Sequence, residues 1–423
     1  MNSFSEEVTL EGHIIDSWTL PRAFDTIMDM GGSFDVLEIQ VGRAKDEVSF
    51  ARLKVQAVTD KKLESILVAL QSFGAVLASR DDVTFLPAPA NGVLPPEFYS
   101  TTHLPTQVRL NGHWINVQNT EMDLVIVVSP AYAEAHMIPS AAVCQGELVV
   151  VGHEGIRILP PQRSRKREFF SFMGSNVSSE HPKRLVIEQI AKQMREVRSQ
   201  GGKILIVAGP AIVHSGAGPH LAKMIRDGYV QVLFGGNAIA THDVESVLFG
   251  TSLGVCLRNG RPVPGGHRNH MAAINAVRSV GSLREAVESG VLREGIMYEC
   301  IKNNVDLVLA GSVRDDGPMP DVITDTTQAQ IRMRAALVGV DMVIMIATML
   351  HSIATGNMLK ASVKVVAVDI NPAVVTKLAD RGTFQALGLV TDAELFVSEL
   401  ASAIAAGDKQ EEPELVEAES EQM

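Results

Sequence analysis

The chain has 423 residues, of which 46% are hydrophobic and 20% are charged, and its formal net charge is −12. This length predicts roughly two or three domains with ample material for hydrophobic cores. The acidic balance disfavours nonspecific nucleic-acid binding, and three scattered cysteines argue against a disulfide framework. The first residues lack the basic and apolar regions of a signal peptide, and no apolar run reaches the about 18 residues of a membrane span. We therefore expect a soluble cytoplasmic protein that binds neither nucleic acid nor membrane.

Residues 1–86 are predicted to form the first domain. Its elements follow the order β-α-β-β-α-β, which is typical of a ferredoxin-like α+β domain. The predicted strands are 7–18, 34–42, 49–58 and 75–79, and the predicted helices are 21–30 and 61–73. Such domains commonly regulate or oligomerise proteins, so this fold alone predicts no activity. Residues 86–99 are rich in proline and glycine and are predicted to be a linker.

Residues 100–162 are predicted to form a small β-rich domain. Its short apolar segments are separated by turn residues such as Asn111-Gly112. The predicted strands are 107–110, 114–117, 124–128, 142–143, 148–151 and 156–159.

Residues 180–407 are predicted to alternate strands with helices. The strands are continuous apolar runs without period-2 alternation, which is typical of strands that helices cover on both faces. They are predicted at 204–208, 230–234, 306–310, 342–347, 363–368 and 386–390. The alternation indicates a largely parallel, doubly wound, Rossmann-like sheet. The last helix, 393–405, is predicted to end at Gly407, and residues 408–423 have the composition of a disordered acidic tail.

The candidate functional residues follow the strands of this sheet, because ligands bind beyond the carboxyl ends of parallel strands. After the first strand, the loop 214–220 contains glycines but lacks the third glycine of a phosphate-binding fingerprint, since Leu221 takes its place. After the second strand, Asn237 and Ala238 are expected to face a ligand. His242 and Asp243 in the same segment are either functional or helix-capping residues.

The third strand is followed by an acidic loop, residues 311–325. One of its carboxylates is expected to bind a ribose or a nicotinamide amide, and another to move a proton. The structural alternative is a local ion pair between Arg314 and Asp315.

After the fourth strand, residues Thr348 to His351 lie where a helix begins, so their amides are suited to a pyrophosphate. Met349 and Leu350 are suited to form an apolar wall for a ring. After the fifth strand, Asp369 is the expected partner of a ribose diol. No basic residue follows it closely, which favours NAD over NADP.

A further candidate segment is VPGGHRNHMAAIN, residues 263–275. His267 and His270 are three residues apart, which is a spacing that can bind a metal, but no carboxylate or cysteine lies close enough in sequence to complete a ligand set. We therefore predict no metal site. The remaining interpretations are a substrate-facing role, with Arg268 holding a carboxylate, and packing at a helix start.

Several long motifs resemble one known family. FDVLEIQVGRAKDEVSFARLKVQA (34–57) resembles the region named after the plant bifunctional lysine-oxoglutarate reductase and saccharopine dehydrogenase, LOR/SDH. GGNAIATHDVE (235–245), GGHRNHMAAIN (265–275) and GSVRDDGPMPDVITD (311–325) resemble the archaeal-type ornithine cyclodeaminases. That family also forms the C-terminal part of cyanobacterial arginine dihydrolase–ornithine cyclodeaminase proteins. Their guanidine-hydrolysing domain has no counterpart here, so arginine hydrolysis is not expected.

The resemblance implies a set of NAD-binding residues that coincides with the ends of the predicted strands. The set is Asn237, Ala238, Asp316, Thr348, Met349, Leu350, His351, Asp369, Asp392 and Ala393. The choice of Asp316 over Asp315 depends on the family. Asp392 has the alternative role of a helix N-cap.

The resemblance also implies a reaction, the conversion of L-ornithine to L-proline and ammonia through an internal redox cycle. Hydride leaves the α-carbon for NAD, the δ-amine attacks the resulting imine, ammonia departs, and the hydride returns to the cyclic imine. Arg268 or Arg314 is a candidate for holding the substrate carboxylate, and Asp315, His267 and His270 are candidates for proton transfer.

Two other functions are compatible with the sequence. One is another NAD-dependent amino-acid dehydrogenase, of the saccharopine or lysine type. The other is a non-catalytic NAD-binding protein whose ferredoxin-like domain senses an amino acid. In each case we expect a homo-oligomer.

Overall fold

The computed structural model describes residues 4–15, 18–43, 47–71, 73–77, 81–131, 133–159, 183–312, 317–380 and 386–411. The chain divides into two compact units. The first comprises residues 1–172 with 357–362, and the second comprises residues 173–356 with 363–423. None of the helices in this described part of the chain is long and apolar enough to cross a membrane.

The first unit begins with the predicted ferredoxin-like arrangement. Its elements are β1 (Phe4–Gly12), α1 (Thr19–Asp29), β2 (Ser33–Gln40), β3 (Ser49–Ala57), α2 (Asp60–Gln71) and β4 (Val76–Leu77). The sheet order is β2-β3-β1-β4, with antiparallel neighbours. Alternate residues of β3, including Leu53 and Val55, are buried in a core with Ile27 of α1 and Ile66 of α2. The ferredoxin-like prediction is confirmed, although the first strand lies a few residues earlier than predicted.

The rest of the first unit is β-rich, as predicted. Its strands are β5 (Thr84–Pro87), β6 (Thr106–Leu110), β7 (His113–Asn116), β8 (Val125–Ser129), β9 (Glu134–Ile138), β10 (Leu148–Val151) and β11 (Ile156–Ile158). They form one sheet of order β5-β10-β8-β9 and another of order β11-β6-β7. Strand β9 was not predicted, although its buried residues Ala135 and Met137 alternate with less buried ones. The strand predicted at 142–143 is wrong, because a 3-10 turn occupies Ser140–Ala142.

The proline-rich segment 86–99 is packed against these sheets and is not a free linker. Its first residues belong to β5, which pairs with β10. Tyr99 is buried, and its backbone N–H donates to the carbonyl of Val150 at 3.0 Å. Burial of an aromatic side chain and of a paired backbone explains why the segment joins the sheet despite its composition. The domain limits at residues 86 and 100 remain a prediction.

The second unit contains the predicted parallel sheet. Its strands are β12 (Lys203–Ala208), β13 (Val232–Gly236), β16 (Asp306–Ala310), β17 (Val322–Ile323), β18 (Val340–Ile346), β19 (Lys364–Asp369) and β20 (Ala386–Val390), and β14 (Thr251–Ser252) and β15 (Val255–Cys256) form a separate hairpin. The order is β17-β16-β13-β12-β18-β19-β20, with parallel neighbours. The central strands are almost fully buried, so the Rossmann-like prediction is confirmed. The edge strand β17 was missed because two residues are too short for an apolar run.

Helices connect these strands and pack against the sheet. They are α3 (Lys183–Ser199), α4 (Ala211–His214), α5 (Gly218–Arg226), α6 (Asn237–Phe249), α7 (Asn269–Val280), α8 (Leu283–Glu288), α9 (Ile296–Lys302), α10 (Thr326–Ala336), α11 (Leu350–Met358), α12 (Pro372–Asp380) and α13 (Ala393–Glu411).

The predicted end of the last helix at Gly407 is wrong, because α13 continues to Glu411. A glycine inside a helix costs about 1 kcal/mol relative to alanine. Contacts outside the helix offset this cost. The carboxylate of Asp408 accepts a hydrogen bond from the Tyr229 hydroxyl at 2.5 Å and lies 3.6 Å from Arg198 Nη1. Residues 408–411, which were predicted to belong to the disordered tail, are therefore helical, and residues 412–423 lie outside the described part.

Candidate functional site

The candidate site lies where the parallel sheet reverses its direction of winding. From β12 the chain adds strands on one side, returns to β18 beside β12, and then adds strands on the other side. In open α/β sheets, ligands bind outside the carboxyl ends of the strands at such a reversal. Here those ends are Ala208 of β12 and Ile346 of β18, so the crevice between them is the expected binding site.

The backbones that follow these two strands approach each other closely. The N–H of Gly209 donates to the carbonyl of Ile346 at 2.8 Å. A Cβ atom added to Gly209 would lie 1.9 Å from the carbonyl oxygen of Ala347, so only glycine fits. Ala347 has a φ of 52°, a conformation that is uncommon for a residue with a side chain. The floor of the crevice is therefore formed by backbone, and the glycine at position 209 is what allows the two strand ends to approach each other this closely.

The segment Thr348–His351 leads from β18 into α11, as predicted for a pyrophosphate-binding helix start. Met349 and Leu350 are 38% and 73% exposed, so their apolar surfaces are available to a ring. His351 reaches across to the end of β13, because a Cβ added to Gly236 would lie 3.1 Å from His351 Cε1. The helix start, two apolar side chains and an imidazole thus lie together at this edge of the sheet.

Asn237 is the first residue of α6 and is buried directly after β13. Its Oδ1 accepts a hydrogen bond from the backbone N–H of Met319 at 3.0 Å, which connects the start of α6 with the loop that follows β16. The Nδ2 group of Asn237 can still donate to a ligand, and Oδ1 keeps one lone pair. Ala238 is half-buried beside it.

Asp369 at the end of β19 and Asp392 after β20 both accept hydrogen bonds from nearby backbone groups. Asp369 Oδ1 accepts from the N–H of Asn371 at 2.8 Å, ahead of α12. Asp392 Oδ1 accepts from the N–H of Glu394 at 2.8 Å, which is the N-cap arrangement that the sequence left open. Ala393, the first residue of α13, is buried. Capping uses one oxygen of each carboxylate and is compatible with a ligand on the other.

A cluster of histidines lies beyond the ends of β12 and β13. His214 ends α4, His242 belongs to the second turn of α6, and His270 belongs to the first turn of α7. The ring centroids of His214 and His242 are 4.7 Å apart, and those of His242 and His270 are 6.5 Å apart. Three residues that are distant in sequence thus form one group around His242.

A fully buried carboxylate supports this cluster. Glu245 Oε2 lies 2.8 Å from His242 Nδ1 and accepts from the N–H of Leu253 at 3.2 Å. Its Oε1 accepts from the Thr251 hydroxyl at 2.8 Å and from the N–H of Gly254 at 3.0 Å. Four partners therefore hold the carboxylate, which in turn fixes the orientation of the His242 ring.

The electrostatics of the cluster follow from burial and from these contacts. Burial acts to raise the pKa of Glu245, but the hydrogen bonds from His242, Gly254 and Thr251 outweigh it, and the net direction is downward. Burial, with a smaller contribution from His242, lowers the pKa of His214 to about 4. Glu245 is therefore ionised and His214 is neutral near pH 7. His214 Nδ1 also lies 2.7 Å from the Ser252 hydroxyl.

Asp243 has a different role from its neighbour His242. It is buried, and its two oxygens accept from the N–H groups of Ile296 at 2.9 Å and Met297 at 2.7 Å, at the start of α9. Burial raises its pKa to about 6, although these backbone hydrogen bonds lower it. Asp243 does not cap the helix of its own segment, which was the structural alternative that the sequence left open; it lies inside α6 and caps α9 instead, whereas His242 points into the cluster.

The other residues predicted to act in catalysis do not all lie in the cluster. His270 joins the cluster, whereas His267 and Arg268 are exposed in a 3-10 turn before α7. Arg314, Asp315 and Asp316 lie outside the described residues. Within the described ranges, no group of three His, Cys, Asp or Glu side chains is arranged to hold a metal ion.

Sequence reasoning missed Ser252 and the contact of Glu245 with His242; it considered Glu245 as a capping residue and the loop that begins at His214 as either ligand-facing or a plain turn. A signal for Glu245 was present, because it follows His242 by three residues and such residues are neighbours on one face of a helix. The contact between His214 and Ser252 joins positions 38 residues apart, and nothing local in the sequence predicts it.

This fold and this crevice define a protein of the Rossmann class, built to bind a dinucleotide beside a polar cluster. The sequence profile described as arginine dihydrolase ArgZ-like, C-terminal, Rossmann fold, matches residues 188–400. The profiles described as LOR/SDH bifunctional enzyme conserved region and as the first region of the ArgZ-like C-terminal part match residues 5–104 and 105–187. The chain belongs to this ArgZ-like family with an LOR/SDH region.

Known relatives support the same grouping. An ornithine cyclodeaminase of Methanocaldococcus jannaschii is 53% identical, over 93% of this chain and 95% of the relative. The crystal structure of ArgZ, an arginine dihydrolase from the ornithine-ammonia cycle in cyanobacteria, is 40% identical with a TM-score of 0.84 over 96% of this chain and 59% of that chain. The ternary complex of AgrE with ornithine and NAD+ is 43% identical with a TM-score of 0.53, over 96% of this chain and 58% of that chain.

Proposed function

We propose that the chain is an NAD-dependent ornithine cyclodeaminase that converts L-ornithine to L-proline and ammonia. The observation that carries the proposal is the buried His242–Glu245 pair on α6, the helix whose first residue, Asn237, lies at the edge of the dinucleotide crevice. This pair would supply proton-transfer groups beside the proposed cofactor site. The names of the archaeal relatives and the ornithine–NAD+ complex of AgrE support the same reaction.

The described residues fit NAD. Gly209 lets the ends of β12 and β18 pack closely beneath the proposed cofactor site, because a Cβ atom there would clash with the Ala347 carbonyl. Asp369 would hold the ribose diol, and the absence of a basic residue closely after it in the sequence favours NAD over NADP. The helix start at residues 348–351 would receive the pyrophosphate. The other proposed contacts are Asn237, Ala238, Asp316, Asp392 and Ala393.

The bound cofactor would supply a hydride acceptor that later returns the hydride, so the net reaction consumes no NAD. The protein has to move the protons. The α-amine of ornithine loses a proton as the α-carbon is oxidised, the δ-amine must be neutral to attack that carbon, and ammonia must gain a proton as it leaves. Overall, one ornithine cation gives one zwitterionic proline and one ammonium ion, so atoms and charge balance.

We assign the central proton-transfer role to His242. Its Nδ1 is held by Glu245, which leaves Nε2 for exchange. Neutral His214 and half-buried His270 are adjacent proton or hydrogen-bond acceptors. His270, with His267, Arg268 and Asp315, belongs to the predicted catalytic set, in which Arg268 would hold the substrate carboxylate.

The experiment follows proline, ammonia and NADH together after addition of L-ornithine. Wild type is expected to form proline and ammonia in equal amounts without accumulation of NADH. His242→Asn is expected to lower the rate about 100-fold or more, which is typical for removal of an acid–base group, and to change NAD affinity much less. His220→Asn, on α5 and outside the cluster, is the matched control.

Two outcomes would contradict the proposal. Steady NADH production from saccharopine or lysine would identify a dehydrogenase of that type. NAD binding without consumption of ornithine, lysine or saccharopine would instead indicate a non-catalytic amino-acid sensor. Cytoplasmic location and a homo-oligomeric state belong to the same proposal, and light scattering on the purified protein tests the second.

A further inference from the structure

The first unit contains a cavity that is separate from the crevice of the parallel sheet. One face of the ferredoxin-like sheet is buried against α1 and α2 through residues such as Val8 and Leu53. The alternate residues of the same strands point to the opposite face. There a cavity of about 480 Å³ is bounded by this face and by residues of the β6–β7 hairpin, including Trp114. This volume lies in the range of small-molecule sites, roughly 300–1,000 Å³.

One wall of the cavity carries a guanidinium group with spare hydrogen-bonding capacity. Arg52 Nη2 donates to Glu38 Oε2 at 3.1 Å. Its Nε atom is buried and has no acceptor among the described residues. This Nε atom is closed to solvent, but Nη1 is not buried and has no partner among the described residues. A ligand oxygen in the cavity can therefore accept a hydrogen bond from Nη1.

The same wall carries a carboxylate. Glu7 is half-buried and lines the cavity, and no hydrogen bond or ion pair links its side chain to another described residue. The register of β1 and β3 places Arg52 opposite Thr9, two residues from Glu7 on the same face. Such diagonal neighbours are about 7–8 Å apart, which leaves room for a small group between an acid and a base.

The other charged group of the cavity is already neutralised. Arg109 Nη1 lies 3.3 Å from Asp82 Oδ1, and Asp82 also accepts from the N–H of Gly112 at 3.0 Å. An inorganic anion is therefore disfavoured, because both arginines have carboxylate partners and Glu7 would repel it. The remaining lining is largely apolar, with Phe50, Val76, Leu77 and Trp114.

We propose that this cavity binds a free α-amino acid with an apolar side chain. The amino-acid carboxylate accepts from Arg52 Nη1, the ammonium group binds Glu7, and the side chain contacts Phe50 and Trp114. Because the ligand spans residues of the ferredoxin-like sheet and of the β6–β7 hairpin, binding stabilises their packing. This site does not depend on the function proposed for the second unit.

The test is isothermal titration of the full-length protein with L-norvaline. Pentanoate lacks the ammonium group and butylamine lacks the carboxylate, so each is expected to bind at least about tenfold more weakly than norvaline. Glu7→Gln and Arg52→Met are each expected to abolish norvaline binding. Glu11→Gln, an exposed position further along β1, is the matched control and should bind like wild type.

Measurement of ornithine turnover distinguishes the proposed amino-acid site in the first unit from the crevice in the second unit. Glu7→Gln is expected to keep the wild-type rate, and saturating L-ornithine should leave norvaline binding unchanged. Absence of norvaline binding in wild type, unchanged binding in both cavity variants, or displacement of norvaline by ornithine would each overturn the proposal. None of these outcomes depends on whether ornithine is turned over.

Discussion

Replacement of Gly209 by alanine is the sharpest test of the crevice. The new Cβ atom would lie 1.9 Å from the carbonyl oxygen of Ala347 and 2.5 Å from its carbonyl carbon. These are backbone atoms, so no side chain can rotate away. The strand ends must separate, and the 2.8 Å hydrogen bond from Gly209 to Ile346 is lost or stretched.

We expect Gly209→Ala to lower the free energy of unfolding by about 1–3 kcal/mol, the usual cost of overpacking. Displacement of Ala347 also moves Thr348 and the start of α11. We therefore expect NAD affinity to fall at least about tenfold, which corresponds to about 1.4 kcal/mol. Chemical denaturation measures the first effect and a fluorescence titration with NAD measures the second.

Gly218→Ala is the matched control in the same connection. A Cβ atom at Gly218 would have one neighbour within 4 Å, Ile296 Cδ1 at 3.9 Å, which is an ordinary contact. This variant should unfold and bind NAD like wild type. Wild-type NAD affinity in Gly209→Ala, or an equal loss in Gly218→Ala, would refute the assignment of the crevice floor.

Three further predictions concern single side chains. Asp369→Ala should weaken NAD binding severely with little loss of stability, because the residue lies at the carboxyl end of β19 and outside the hydrophobic core. Unchanged NAD affinity in this variant would contradict the assignment of Asp369 to the ribose diol. Glu245→Gln should cost about 1–3 kcal/mol of stability, because an amide has one acceptor oxygen where the carboxylate accepts on both, so the buried N–H of Gly254 or the part-buried N–H of Leu253 loses its partner. Urea denaturation measures this effect, and a stability equal to wild type would contradict the reasoning. His214 has a folded pKa of about 4, below its ordinary 6.5, so the unfolded chain binds more protons between these values and stability falls as the pH drops from about 6.5 to 4. The pH dependence of the free energy of unfolding is compared between wild type and His214→Asn, because the opposite contribution of Asp243 is present in both proteins and cancels. If the two proteins show the same pH dependence between about 4 and 6.5, the prediction for His214 is refuted.

Secondary structure in the second unit was predictable where burial is uniform. The strands Asp306–Ala310 and Ala386–Val390 were predicted with the bounds that the structure has. Strands covered on both faces need continuous apolar runs, so the signal is local. The strand order and the place of reversal are not local properties, but parallel strands joined by helices allow few arrangements.

Local signals failed where distant contacts compensate for an unfavourable residue. The helix end predicted at Gly407 was wrong because Asp408 binds Tyr229, a residue 179 positions away. The segment 86–99 has a loop composition, yet Tyr99 is buried against β10. In both cases tertiary contacts outweigh a local preference of the chain. For Gly407 in the last helix, that preference is about 1 kcal/mol against the helix.

The candidate site likewise has a part that the sequence predicted and a part that only the structure showed. The sequence alone determined that polar and glycine residues follow the strands, because strands must be apolar and their ends must not be. It thereby indicated the crevice residues Asn237, Thr348–His351 and Asp369. Only the tertiary structure decided that His214, His242 and His270 form one cluster on Glu245. Their contacts join separate helices, and the packing of those helices against one another determines which side chains meet.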